Sequence, residues 1–346
     1  MSLPGFPHVI DVHTHYLPHV LVEALRRRDE LPRVSQGRDG DVIEYGEGNI
    51  HPYLPAMGDL DLRLRDMDAA GIDLAVISTN IPGIDWFPAA DGPPIARDVN
   101  DELAAVVARH PGRLAALAAL PMQAPEAAAA ELERAVGNGL VGAMIYSNVA
   151  GAQLDEPRFE VVYETVARLG VPLYIHPTYP VIANTLAAYA LIPTLGFLVD
   201  TTTATLKLVF GGLYERHPDL KLVLAHAGSL LPQLVGRIDY EAARHDGAAR
   251  NLSMKPSEAL ANVYTDCICV WPAALRSTLE FFGPERLMYG SDYPFWDPRL
   301  SFETLAGCGF PDQLAEAIAS GNAATVMGVT AGRASVAASQ RENPPR

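Results

Sequence analysis

Ile10-Asp11-Val12-His13-Thr14-His15 is a strand-like run that ends in two histidines one residue apart. On a β-strand, residues i and i+2 point to the same face, so both imidazoles converge on one spot. Two neutral imidazoles at that separation suit a divalent metal. A pair of ordinary surface histidines near a terminus would read the same way, so the rest of the chain has to decide.

Working outward, short apolar or β-branched strands are predicted at 8–13, 73–79, 114–120, 142–147, 171–176, 221–226, 263–269 and 287–291. Each is followed by a helix-compatible stretch, the pattern of a parallel sheet. Eight such units predict an α/β fold of the (β/α)8 TIM-barrel type. An open doubly wound sheet would need a Gly-rich phosphate loop after the first strand, and the sequence has none there. Residues 59–71 read as a helix that opens on an N-cap candidate, Asp59, and closes on a C-cap glycine, Gly71. Residues 125–136 start at Pro125 with Glu126 in the first turn and are alanine-rich, as an outer barrel helix should be. The 346 residues, 49% hydrophobic and 19% charged, can bury a sizeable core. A single barrel domain is expected over 1–330, with an insertion at about 16–58 and a disordered tail over 331–346. The long connections 16–58 and 177–200 would both sit over the barrel mouth, where loops of that length are usually functional.

Composition excludes several classes. The formal net charge of −15 disfavours nucleic acid or an anionic membrane as a partner. No apolar run approaches a bilayer span, and the first residues have neither a basic nor an apolar leader-like region. Three cysteines, Cys267, Cys269 and Cys308, make a disulfide framework implausible, so a cytoplasmic protein is expected. Cys267 and Cys269 read as small core side chains.

Barrel enzymes carry their catalytic groups at the C-terminal ends of the strands. Four of the predicted strands end in such groups. The first ends in His13 and His15, the fifth in His176, the sixth in His226 and the eighth in Asp292. Each alone has a mundane reading as a satisfied polar or cap residue. Their recurrence at one end of one barrel points to a metal site with a position left open for substrate, a catalytic rather than a structural centre.

With these residues in place the chain resembles the amidohydrolase superfamily. More narrowly, it is similar to the amidohydrolase-2 branch that holds α-amino-β-carboxymuconate-ε-semialdehyde decarboxylase and the salicylate- and resorcylate-type decarboxylases. The marks are the opening hexapeptide, Leu120-Pro121-Met122-Gln123-Ala124-Pro125, Ala225-His226-Ala227-Gly228 with Gly236-Arg237-Ile238 downstream, and Ser291-Asp292-Tyr293-Pro294-Phe295. The resemblance implies that His13, His15, His176 and Asp292 hold one divalent ion. Zinc suits that set best, and manganese is the other ion that mixed nitrogen and oxygen donors accommodate. His226 would then stand beside it and, with Asp292, act in acid–base catalysis. Arg237 matches an arginine that grips a substrate carboxylate from a neighbouring subunit, which implies a homodimer or larger assembly. An ordinary helix-surface salt bridge is the other reading of Arg237.

Two departures narrow the resemblance. The fourth predicted strand runs into Tyr146-Ser147-Asn148, with no lysine of the kind that bridges binuclear sites, so one metal is expected. The insertion reads Val42-Ile43-Glu44-Tyr45-Gly46-Glu47-Gly48-Asn49-Ile50-His51-Pro52-Tyr53, with no arginine for a second carboxylate. The resemblance therefore implies a non-oxidative decarboxylase of a small aromatic, salicylate-like or enolic monocarboxylic acid. A metal-dependent hydrolase or hydratase of a small carbonyl, lactone or unsaturated acid is the alternative the same residues allow. Phe295, Trp296 and His51 are candidates for the pocket wall, and packing or loop roles would account for them equally well.

Overall fold

A computed structural model describes residues 6–46 and 49–331. The tail expected over 331–346 falls almost entirely outside these residues, as does Glu47 of the insertion. Eight strands follow one another in sequence order around one sheet: β1 (Ile10–His15), β2 (Leu74–Ser78), β3 (Leu114–Ala119), β4 (Gly142–Tyr146), β5 (Pro172–His176), β6 (Lys221–Leu224), β7 (Tyr264–Asp266) and β8 (Leu287–Met288). Every neighbouring pair is parallel. The ring closes where Val12 N–H donates to Tyr289 O at 3.0 Å, His15 N–H donates to Tyr293 O at 2.8 Å, and Thr14 bridges to Tyr293. This is the (β/α)8 barrel that the strand count predicted.

Alternation along the strands builds the interior. Ile10, Val12, Leu74, Val76, Leu117, Met144, Tyr174, Val223 and Met288 form one buried cluster inside the ring, with Val326 and Met327 of the last helix packed against them. The helices bury their apolar stripes in a second, outer cluster. The predicted caps are present: Asp59 accepts from Leu62 N–H at 2.8 Å, and Gly71 ends the helix Leu60–Ala70 at φ 71°, where a side chain would be strained.

Four expectations need correction. The connection 16–58 is not a bare loop: it folds a helix, His19–Arg26, and a three-stranded antiparallel sheet of Arg33–Gln36, Asp41–Gly46 and Asn49–Pro52. Likewise 177–200 is largely short helical turns running into the helix Phe197–Phe210. The seventh strand stops at Asp266, three residues before its predicted end, because the Asp266 carboxylate accepts Ile268 N–H at 3.0 Å and turns the chain. Cys267 is buried in the core as expected, but Cys269 lies beyond the strand on the wall of the central cavity.

One buried acid is placed at a cost. Asp85 sits in the turn Ile84–Trp86 after β2, and among the described residues its carboxylate meets no donor beyond its own backbone N–H. Space is tight there: a Cβ on Gly83 would meet a Tyr146 ring carbon at 2.0 Å and Asp85 Oδ1 at 2.4 Å. Burial pushes the Asp85 carboxyl up to about 7. The native state thus keeps a proton that the unfolded chain releases near pH 4. Between those values the native state binds more protons, so its stability falls as pH rises. Asp85→Asn removes that slope. In urea unfolding, the variant should gain on the parent between about pH 4 and pH 7 by on the order of 4 kcal/mol. Parallel stability profiles for the two proteins would contradict this.

Candidate metal centre and active site

The floor of the barrel mouth is set by a fault in the first strand. Ile10 and Val12 point into the inner cluster, so on a regular strand His13 and His15 would point the other way. Pairing with β2 slips by one residue between Asp11 and Thr14. Such a bulge re-aims the side chains after it. Both imidazoles now lie with those of β5: ring centres are 5.1 Å apart for His13 and His176, and 4.6 Å for His15 and His176. All three rings are buried.

The remaining two groups come from just past strand ends. His226 lies two residues beyond β6 with φ 59°, and Asp292 lies beyond β8 with φ 59°. Left-handed backbone at non-glycine residues is strained and needs support. His226 N–H donates to Asp266 Oδ2 at 3.0 Å, and Asp292 N–H donates to His13 O at 2.8 Å. Gly228 allows the turn after His226 to pack, because a Cβ there would lie 2.2 Å from the Phe282 ring.

Hydrogen bonds away from the centre orient the imidazoles. His15 Nδ1 meets Thr79 O at 3.3 Å and His176 Nδ1 meets Pro177 O at 2.8 Å. A carbonyl only accepts, so each Nδ1 carries the proton and each Nε2 turns a lone pair inward. His13 Nδ1 likewise faces Asp266 Oδ2 at 2.8 Å. Inside, His13 Nε2 and His15 Nε2 are 3.2 Å apart, and Asp292 Oδ1 is 3.2 Å from the latter and 3.7 Å from the former. These are acceptors set against acceptors. Such an arrangement is repulsive alone and fits a divalent cation between the donors.

The protonation of His15 and His176 agrees with that fit, whereas His13 holds its second proton more tightly and a bound cation would have to displace it. Burial lowers the His15 imidazole, and burial together with the neighbouring histidines lowers His176 well below its usual value. Both are therefore neutral ligands at pH 7. Burial works to raise Asp292, but its contacts with His15 and His226 outweigh it and hold the carboxyl well below the usual range. His13 is raised: burial opposes its charge, and Asp266 more than offsets burial.

His13, His176, His226 and Asp292 offer donor atoms that all lie within 4.8 Å of one another, and His15 joins through the contacts above. His226 differs from the others. Its Nε2 faces Asp292 Oδ2 at 3.6 Å, and its Nδ1 is buried without a partner among the described residues. Of the other predicted residues, Phe295 and His51 line the cavity over this centre, as does Trp296. Phe295 lies edge-on to His15 with ring centres 5.9 Å apart. Arg237 does not line its own chain's cavity. It stands on the outer side of the helix Leu231–Arg244, 75% exposed, with Glu241 3.9 Å away.

Sequence reasoning missed Asp266. Its fully buried carboxylate accepts from His13 Nδ1–H, from Tyr174 O–H at 2.6 Å, and from the backbone N–H groups of His226, Ala227 and Ile268 at 3.0 Å each. These bonds hold its carboxyl down at about 2 against the effect of burial. It is itself a strand-end residue, the signal used for the other ligands. Extending the seventh strand to 269 hid it.

A family model described as amidohydrolase matches residues 10–329. The chain belongs to the amidohydrolase family. It is 33% identical over 241 residues to 2-amino-3-carboxymuconate-6-semialdehyde decarboxylase of Dictyostelium discoideum, covering 68% of this chain and 67% of that one. Among solved structures, 5-carboxyvanillate decarboxylase of Sphingomonas paucimobilis matches with a TM-score of 0.83 at 32% identity, covering 93% of this chain and 99% of the other. The dihydroxybenzoic acid decarboxylase of a Polaromonas species, solved with bound manganese and the inhibitor 2-nitroresorcinol, matches with a TM-score of 0.78 at 26% identity, covering 93% and 97%. Among the described residues of this amidohydrolase, no helix is long and apolar enough to cross a membrane.

Asp266 should tune metal affinity without touching the metal. In Asp266→Asn the backbone N–H groups keep an acceptor, while His13 loses its anionic partner. Affinity measured by chelator competition should fall about 10–100-fold. Unchanged affinity would show that the His13 contact does not position the ligand.

Proposed function

We propose that this amidohydrolase is a metal-dependent, non-oxidative carboxy-lyase that removes carbon dioxide from an aromatic monocarboxylic acid with a hydroxyl beside the carboxyl group. The observation that carries this reading is the ring of inward-facing acceptors from His13, His15, His176 and Asp292 at the floor of an apolar cavity, with His226 beside Asp292. The relatives named above are decarboxylases of aromatic or unsaturated acids. A divalent ion held by those four residues would supply Lewis acidity to the hydroxyl and carboxylate oxygens of the substrate. Zinc suits three imidazoles and a carboxylate, and the manganese found in the Polaromonas relative makes that ion the direct competitor for the site.

The chain's own groups handle the proton. When the bond from ring carbon to carboxylate breaks, its electron pair stays on the ring, that carbon takes up a proton, and carbon dioxide leaves uncharged. His226 and Asp292 stand side by side, Nε2 to Oδ2 at 3.6 Å, and both face the cavity, where His226 would deliver the proton and the anionic Asp292 would steady its charged form. His226, whose Nδ1 is not tied to an outer acceptor as those of the other three imidazoles are, suits acid–base work better than ligation. Phe295 and Trp296 flank the ring. His51, whose imidazole burial keeps neutral, adds a polar edge without charge.

A carboxylate entering this cavity meets no lysine or arginine among the described lining residues. Arg237 is the cation proposed to fill that gap, reaching into the cavity of a second copy in a homodimer or larger assembly, which its exposure permits. The three free cysteines are read as a sign of a reducing, cytoplasmic setting.

Metal-replete protein should release carbon dioxide from a hydroxybenzoate panel, lose this activity on chelation and regain it with zinc or manganese. Hydrolysis of lactones or esters without carbon dioxide release would overturn the assignment. Arg237→Ala should raise KM about tenfold or more, the scale of a lost charge-assisted contact, with its urea midpoint unchanged because the side chain is exposed. Unchanged kinetics, or a monomer in sedimentation, would overturn the shared-site reading.

A further inference from the structure

The insertion that covers the mouth sorts its residues by strand alternation. Ile43 is directly opposite His51 in the antiparallel ladder, and Tyr45, where the register slips between Glu44 and Gly46, lies edge-on to His51 with ring centres 5.5 Å apart. All three line the cavity. Glu44 points to the other face, where it meets its cross-strand partner Arg33 at 3.3 Å and Ser35. The charges thus stay outside and the apolar face covers the site. Tyr45 donates its hydroxyl to Ile81 O, which ties the sheet to the chain after β2 and removes that hydroxyl from the cavity. His51 is the polar group of this roof, and it is neutral. Phe197 and Leu198, from the helix after β5, add further apolar wall.

The cavity under this roof measures about 760 Å³. That lies in the upper part of the ~300–1,000 Å³ range that takes drug-sized molecules. A single-ring hydroxybenzoate is much smaller. With its carboxylate and hydroxyl committed to the floor at His176, His226 and Asp292, such a ring would leave the roof facing water. Apolar walls gain most when an apolar group displaces that water.

We infer that the roof is a subsite for an apolar ring substituent, so that the preferred substrate is a hydroxyaryl monocarboxylate carrying an alkyl chain longer than methyl. This rests on the carboxy-lyase reading for the orientation of the ring. With Arg237 of a second copy taken by the reacting carboxylate, no lysine or arginine among the described lining residues is left for an anionic substituent, which would be desolvated without a partner.

The test separates binding from turnover. The probes are 2-nitrophenols, in which a nitro group replaces the carboxylate and cannot leave, bearing hydrogen, methyl, propyl or pentyl at each open ring position. Calorimetry with metal-replete protein should show, for at least one position, a dissociation constant that falls roughly fourfold per added methylene from methyl to propyl. Ile43→Ser and Phe197→Ser, changes on two separate elements, should each flatten that slope. A flat or rising series at every position, or no binding at all, overturns the subsite. Carbon dioxide release from plain 2-hydroxybenzoate with a flat series would sink the subsite and keep the carboxy-lyase. A falling series with no carbon dioxide from any matching acid would do the reverse.

Discussion

A single buried carboxylate, Asp266, ties together the parts on which the site depends. It anchors the His13 ring on β1, the Tyr174 hydroxyl on β5, and the strained backbone that presents His226 after β6. Burying an anion costs several kcal/mol unless its lone pairs are met. Here five donors meet them, and three come from His13 on the first strand and from the backbone of His226 and Ala227. The anion is therefore stable only when His13 and His226 are in position.

The centre shows the same logic with the opposite sign. Around Asp292 the donors needed to satisfy the inward lone pairs are missing, because Thr79, Pro177 and Asp266 have drawn each Nδ1 proton outward. The protein has thus built a cluster that is poorly satisfied without a cation and well satisfied with one. His226 was left out of that outward bonding. The contrast is the basis for proposing His13, His15 and His176 as ligands and His226 as the acid–base group, and it comes from what each Nδ1 touches rather than from distance to the centre.

Much of this was legible in the residues. Short, nearly continuous apolar runs marked all eight strands, since barrel strands are buried on both faces, and Asp59 and Gly71 marked a helix by backbone chemistry that needs no tertiary context. Strand-end position located His13, His15, His176, His226 and Asp292 on one rim. Asp266 was passed over because Cys267, Ile268 and Cys269 look like more strand, and only the hydrogen bond from Ile268 N–H back to Asp266 shows where the strand stops. The insertion looked like a loop because its short strands are stabilised by pairing with each other and by the Tyr45 contact to Ile81, both outside a local window.

The sequence by itself determined the barrel, the proposed ligand set at the strand ends and the lack of a lysine or arginine over 42–53, because these follow from side-chain type and spacing. The tertiary structure alone decided where those side chains point. The one-residue slip between Asp11 and Thr14 turns His13 and His15 inward, and the roof over them is apolar because Ile43, His51 and Tyr45 of the insertion sheet all line the cavity. Both depend on register with a partner strand, a relation between distant segments that a sequence pattern does not encode.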